Sequence, residues 1–280
     1  MNKNIEMLEI NKKQKVYYET ADGSNESDVN NSITNIYRRF KTRIYGVLTD
    51  AGIKRATEDL HKRWIHQYTD ELKTKKILDL GAGEGSNISL FLAKNAGTYV
   101  ATDLSESRLE ILKKKLNEND AKNPILIPGD FLEPDFPEGD FDIVYANSVL
   151  HHFKHLDPFL KILSSRMKKG AIVLTHDPLK TWIPMSIFRM MYKKVATDSL
   201  WEYPFGYDSI QIINSHFNIE QLQGILGRSK WCIPLSIVNK KLAIRKAHKW
   251  HQYDMHNANS IEHIKKCLQV CMLLQIPKST

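Results

Sequence analysis

Residues 75–85 read KKILDLGAGEG, and this stretch decides the fold. Ile77, Leu78 and Leu80 make a short apolar run of buried-strand character, which breaks into glycine at Gly81, Gly83 and Gly85. In the following SNISLFLAK, Ile88, Phe91 and Leu92 recur at helical spacing, so the glycines occupy a strand-to-helix turn. Glycine there permits unusual dihedrals and lets a ligand approach closer than any Cβ would allow. A cofactor pressed against bare backbone is the occupant this predicts; the plainer role for the same glycines is to pack helix on strand.

The spacing narrows the cofactor. In the dinucleotide fingerprint G-x-G-x-x-G a pyrophosphate sits at the helix N-terminus, but here the third glycine comes one residue early and Ser86 follows it. Asp79, two residues ahead of Gly81, would repel a pyrophosphate and receive an ammonium group. The turn therefore suits a cationic amino-acid moiety.

Strand and helix alternate beyond the turn, which predicts a parallel sheet wrapped on both faces. TYVATD is the second strand and ends at Asp103, where an acid can hold both hydroxyls of a ribose; capping the next helix is its plainer duty. Ser105 is a cap for a helix turning Leu109, Leu112 and Leu116 inward. PILIPGDF, the third strand, ends at Asp130 and Phe131, an acceptor for an exocyclic amine beside an aromatic, or ordinary turn chemistry. FDIVYANS is the fourth, followed by VLHHF with His151 and His152. Asp157 and Pro158 read as N-cap and first position of a helix that Lys168, Lys169 and Gly170 close. AIVLTHDP, the fifth strand, delivers His176 and Asp177 to the rim where open α/β sheets bind ligands.

Upstream, residues 1–29 are polar and without a clear period, and the first fifteen or so read as mobile. Ile33, Ile36, Tyr37, Phe40, Ile44 and Leu48 form one helical face from a cap at Asn31 or Ser32. Leu60, Trp64 and Tyr68 mark a second helix running to about Glu71. Both helices need a surface to cover, and the cofactor cleft is the nearest.

Composition sets the bounds. At 280 residues the chain is long enough for one large α/β domain with insertions, or for two small domains. No apolar run approaches the roughly 18 residues of a bilayer span, and MNKNIEMLEINKKQK is too polar for a signal peptide, so a soluble, cytoplasmic protein is expected. Cys232, Cys267 and Cys271 make neither a disulfide framework nor a zinc quartet and read as reduced core residues. The net charge of +8 is concentrated: residues 226–280 carry ten Lys/Arg against Asp254 and Glu262, while the remainder is balanced. Such asymmetry fits nucleic acid or an anionic membrane face, or only a solvated helix face.

ILDLGAGEG, ATDLS, GDF and FDIVYANSVLHHF, in this order and spacing, resemble the motif series of class I S-adenosylmethionine-dependent methyltransferases. The similarity runs from about Lys75 to Asp177, with FNIEQLQGI and CLQVCMLLQI fitting the last two strands. VLHHF resembles the branch holding quinone-biosynthetic and natural-product enzymes. The resemblance implies a Rossmann-like α/β fold with a seven-stranded, mostly parallel sheet and helices on both faces. The expected organisation is a helical cap over 1–72 and a cofactor-binding domain over 73–280, with helical insertions after strands five and six at 177–210 and 226–262. Asp79, Gly81, Gly83 and Gly85 would line the methionine part of S-adenosyl-L-methionine, Asp103 the ribose, and Asp130 and Phe131 the adenine, with Ala82 and Leu104 also among the cofactor-binding residues. Asn147 would sit near the reacting methyl. Strand four lacks the N-P-P-Y-like tetrapeptide of nucleobase-amine methylases, and Asp177 has no evident partners for a magnesium ion, so no metal is expected.

For a hydroxyl or acidic-carbon acceptor a general base helps, and His151, His152 and His176 are the candidates, with Asp177 as orienter; the histidine pair serves equally as packing. Residues 177–210 hold Trp182, Phe188, Tyr192, Trp201, Tyr203, Phe205 and Tyr207, interleaved with Met185, Met190 and Met191. That composition suits a pocket for a flat or lipophilic small molecule, or a cap burying its own face. KKLAIRKAHKWH forms a helix with Val238, Leu242 and Trp250 on one side and Lys241, Arg245 and Lys249 on another, so 228–266 is a candidate contact for a membrane surface or an anion. A small-molecule methyltransferase is the leading reading. The alternatives are an RNA or protein methyltransferase docking through the basic segment, for which no RNA-binding module is recognisable, and a non-catalytic cofactor-binding subunit.

Overall fold

The computed structural model describes residues 3–23, 32–182 and 201–277. Its centre is a seven-stranded sheet in the order β3-β2-β1-β4-β5-β7-β6. The strands are β1 (Lys76–Leu80), β2 (Thr98–Asp103), β3 (Ile125–Pro128), β4 (Phe141–Asn147), β5 (Met167–Pro178), β6 (Asn218–Ile225) and β7 (Gln269–Gln275). β1 to β5 pair in parallel, and β7 runs antiparallel between β5 and β6. The expected Rossmann-like architecture is therefore present. After β1 the chain builds outward through β2 and β3, then returns to place β4 on the other side of β1. A cleft opens above the carboxyl ends of the strands at such a reversal.

The helices are α1 (Lys3–Gly23), α2 (Ser32–Asp50), α3 (Ile53–Tyr68), α4 (Asn87–Asn95), α5 (Glu106–Glu118), α6 (Leu156–Ser165), α7 (Tyr207–His216), α8 (Cys232–Val238), α9 (Lys240–Asn257) and α10 (Ile261–Ile264). They form a layer on each sheet face. One core gathers Leu78, Leu80, Val100, Val144 and Val173 under Phe159, Leu160 and Leu163 of α6. The other gathers Ile77, Tyr99, Ile143 and Ile172 under Trp64, Leu92, Leu112 and Ala247. Strand alternation alone sends neighbouring side chains to opposite faces.

Several local expectations shift. Residues 3–23 are helical, with Met7, Asn11 and Gln14 buried, where mobile chain was expected. It is this helix that covers the cleft. Val47 of α2, Ala51 of the turn after it, and Leu60 and Trp64 of α3 instead join the second core, and the Tyr68 hydroxyl donates to the Gly170 carbonyl at 3.2 Å. Helix α6 begins at Leu156, ahead of the expected cap at Asp157, and Lys168, Lys169 and Gly170 belong to β5. In α9 the buried stripe is Ala243, Ala247, His251 and Asp254, while Val238 ends α8 and stays 84% exposed. Cys232, Cys267 and Cys271 are free and buried, and burial pushes the Cys267 thiol to about 12.

Candidate active site

The glycine turn is built on three left-handed residues, with φ of 63° at Gly81, 53° at Gly83 and 79° at Gly85. Two of them also permit close packing. A Cβ on Gly81 would lie 2.6 Å from Val149 Cγ2, and one on Gly85 would lie 2.5 Å from Leu112 Cδ1. Gly83 faces open space, with nothing nearer than Asp103 Oδ2 at 3.9 Å. Ser86 and Ser89 then close a reciprocal capping box that starts α4, satisfying backbone donors at the helix N-terminus.

Asp103 ties this turn to the tip of β2. Its Oδ2 accepts from the Gly83 N–H at 2.8 Å and its Oδ1 from the Ser105 N–H at 2.9 Å. One carboxylate thus braces the loop and the start of α5 together. The neighbouring Leu104 adds an apolar wall.

Asp130, beyond the tip of β3, accepts from the Leu132 N–H at 2.9 Å and receives the Asn11 carboxamide. Burial raises its carboxyl above the ordinary range, against the lowering effect of those hydrogen bonds. Phe131 is buried edge-on to Phe136 and Phe159, under the Arg166 guanidinium at 4.7 Å from its ring. It fixes the floor of the cleft more than it offers a free stacking face.

The cleft is lined by Gly81, Gly83, Asp103, Leu104, Asp130 and Phe131. Helix α1 closes one side with Asn11, Gln14 and Tyr18, while Ser148, Val149, His152 and Phe153 close the end above β4. Gln14 is 3% exposed, and its Nε2 has no partner among the described residues. The first turn of α1 is fastened by Glu6, which takes Lys154 Nζ at 2.5 Å and His155 Nε2 at 2.8 Å. The side-chain hydrogen bonds from Lys154 and then His155 hold the Glu6 carboxyl at about 2.

Asp79, Ala82, Gly85 and Asn147 lie outside this lining. Asp79 is enclosed beneath the turn, where the Tyr99 hydroxyl donates to its Oδ2 at 2.7 Å. Burial lifts its carboxyl to about 6, despite hydrogen bonds from Ser89 and Tyr99 that lower it. Ala82 packs toward the second core, and Asn147 pairs in register with His176.

The histidines separate by environment. His151 is buried, with Nδ1 2.7 Å from Asp177 Oδ1 and its backbone N–H donating to the same oxygen at 3.2 Å. The Thr175 hydroxyl donates to Asp177 Oδ2, completing a closed cluster. His176 stands apart, its Nε2 3.1 Å from Gln269 Oε1, and burial lowers its pKa. His152 alone of the three lines the cleft. Burial, reinforced by neighbouring His151, holds it at about 4, so its ring is neutral near pH 7. Its Nδ1 lies 3.2 Å from the Trp201 carbonyl, which selects the tautomer that donates there and leaves Nε2 an acceptor.

Sequence reasoning missed Asn11, Gln14, Tyr18, Ser148 and Val149. The spacing 7, 11, 14, 18 is helical, but polar residues on that face resemble a solvated one. Of the aromatic segment, Phe188, Tyr192 and Met185, Met190 and Met191 lie outside the described residues, whereas Phe205 is buried and pairs with Leu179.

Comparison with known proteins identifies the family and the fold. A family described as a methyltransferase domain matches residues 53–229. The chain is 29% identical over 138 residues to demethylmenaquinone methyltransferase of Staphylococcus saprophyticus, covering 48% of this chain and 58% of that protein. It is 28% identical over 192 residues to tRNA U34 carboxymethyltransferase of Actinobacillus succinogenes, covering 64% and 58%. The chain thus spans little more than half the length of these curated relatives. Its fold is similar to that of magnesium protoporphyrin IX methyltransferase from Synechocystis PCC 6803, solved with bound SAH. The TM-score is 0.53 at 15% identity, covering 84% of this chain and 93% of that one.

Proposed function

The chain belongs to the methyltransferase-domain family through residues 53–229, and from that premise we propose that it moves a methyl group from S-adenosyl-L-methionine to an O, N or C acceptor of a small, aromatic or lipophilic metabolite. The observation that carries this reading is the convergence of Gly81, Gly83, Asp103 and Asp130 on one cleft above the strand ends. These residues fit the cofactor: bare backbone for the amino-acid part, an acid at the β2 tip for ribose hydroxyls, and a second acid beside apolar Leu104 and Phe131 for adenine. Asp79 acts from below the turn as an enclosed negative charge toward an ammonium group. Ser148, which follows Asn147 at the end of β4, borders the reacting end.

The cofactor supplies an electrophilic sulfonium methyl. The chain's task is then to orient an acceptor in line and exclude water. Helix α1 walls the cleft from solvent. His152 Nε2 takes the acceptor's proton, and the closed His151–Asp177 cluster, whose ring centroid lies 4.2 Å from that of His152, positions it. Of the helical cap, helix α1 is the part that meets the binding domain along this cleft. The reaction belongs to the cytoplasm, where free thiols such as Cys232, Cys267 and Cys271 persist.

Titration calorimetry with S-adenosylmethionine and S-adenosylhomocysteine tests the reading, followed by methylation of extracted metabolites against bulk RNA. Absence of binding to either nucleoside would overturn it. Methylation of RNA alone would transfer the basic segment 228–266 to nucleic-acid docking.

A further inference from the structure

The basic excess of the C-terminal part is sharper in space than in sequence. Residues 221–253 contain seven Lys/Arg and no Asp or Glu. Helices α8 and α9, which this stretch forms, pack against α2: Arg43 Nε donates to the Ser236 carbonyl at 2.9 Å, and Lys240 Nζ lies 3.2 Å from Asp50 Oδ2. The contact brings Arg39 and Arg43 into the same helical layer, and residues 32–49 likewise hold no acid. Asp254, in the last turn of α9, is buried and accepts from Arg228 N, Ser229 N and Ser229 Oγ, so it does not face this surface, whereas Asp50 pairs with Lys240.

Beside these cations the chain exposes aliphatic and aromatic side chains that a solvated helix face does not explain. Trp231 is 51% exposed, Ile237 62% and Val238 84%. One turn of spacing on α8 places Trp231, Pro234 and Val238 on a common side. Trp231 packs edge-on to Trp182 at 5.7 Å, four residues past the end of β5. The patch therefore begins at the rim on which the strand tips open.

We propose that α8 and the basic faces of α2 and α9 dock on an anionic lipid bilayer, with Trp231, Ile237 and Val238 entering the headgroup boundary and Lys241, Arg245, Lys246 and Lys249 facing acidic headgroups. Short apolar ridges with tryptophan, flanked by lysine and arginine, lie in the interface plane. Nucleic acid would engage the same cations but gains nothing from exposed isoleucine and valine, which is why the bilayer is favoured. No helix among the described residues is long and apolar enough to cross a membrane, so the contact is peripheral. Docking is independent of the cofactor reading.

Flotation of the full chain with vesicles of phosphatidylcholine alone, and of phosphatidylcholine mixed with phosphatidylglycerol, is the test. The chain should float with the mixed vesicles only, and increasingly less as salt rises. The pair Lys241→Ala with Lys246→Ala should lower partition roughly twenty- to thirtyfold, given about fivefold per cation near an anionic surface. The pair Ile237→Asp with Val238→Asp should abolish it, with S-adenosylhomocysteine binding and thermal midpoint retained as evidence of an intact fold. Failure to float with the mixed vesicles, or flotation unaffected by both pairs, overturns the proposal. So does salt-sensitive binding to bulk tRNA in place of vesicles.

Discussion

Asn11 Nδ2 donates to both carboxylate oxygens of Asp130, at 3.0 Å each, across 119 positions of sequence. This bond fastens the first helix over the tip of the third strand, so one wall of the cleft comes from residues far from the glycine turn. Asn11→Leu should leave a partly buried carboxylate without its partner, costing about 1–3 kcal/mol. The expected outcome is faster proteolysis within 3–23 and weaker S-adenosylhomocysteine binding, read by limited digestion and calorimetry.

Gln14 should behave in the opposite sense in the two measurements. Its Nε2 is buried without a partner among the described residues, so Gln14→Leu removes an unsatisfied donor and leaves the ligand-free fold as stable or more so. Cofactor affinity should nevertheless fall about tenfold, the loss of roughly one hydrogen bond to a ligand. Unchanged affinity would separate Gln14 from the binding site.

The three glycines should split into two classes. Alanine at Gly81 or Gly85 meets Val149 or Leu112 in a left-handed conformation, and each should destabilise the fold by about 2–4 kcal/mol. Gly83→Ala adds only backbone strain of about 1 kcal/mol but places a methyl in the cleft. Denaturant unfolding should rank Gly83→Ala mildest, while calorimetry shows it losing cofactor binding. Asp103→Ala, which frees the N–H groups of Gly83 and Ser105, should weaken binding more than tenfold.

Asp79 should write a pH dependence into stability. Its carboxyl stands at about 6 in the fold, against roughly 4 in an unfolded chain. The folded state holds the proton more tightly, so this stability is complete below about pH 4 and is lost as pH rises through about 6, by about 3 kcal/mol. Asp79→Asn should flatten that slope and raise the thermal midpoint near neutrality while weakening cofactor binding. A pH profile identical to that of the parent would refute the assignment.

His152 should act as a neutral base over the physiological range. Held at about 4, it loses function only on strong acidification, so kcat at saturating cofactor should be flat down to about pH 5 and fall below it, while Asp79 affects cofactor affinity at higher pH. His152→Gln should lower kcat by about 10²–10⁴ for a hydroxyl acceptor. Asp177→Asn should lower kcat less, with a shifted acid limb, because it acts through His151.

The turn at 81–85 and the acids at strand tips are short-range features. An apolar run, a glycine break and a helical period each arise within about ten residues, and Asp103 and Asp130 follow by counting strands. The assignment of His152 in place of His151 was not available that way, because two adjacent histidines differ only in which one Asp177 encloses and which one the cleft reaches.

By itself the sequence determined a parallel sheet, its glycine-braced crossover and the acids that edge it, since backbone dihedrals and side-chain periodicity are local properties. Only the tertiary structure decided that residues 3–23 wall the cleft, that α2 and α3 belong to the opposite layer, and that cations from α2 and α9 share one surface. A helix whose buried side is polar reads as solvated until the partner that accepts its hydrogen bonds, here Asp130, is brought beside it by packing.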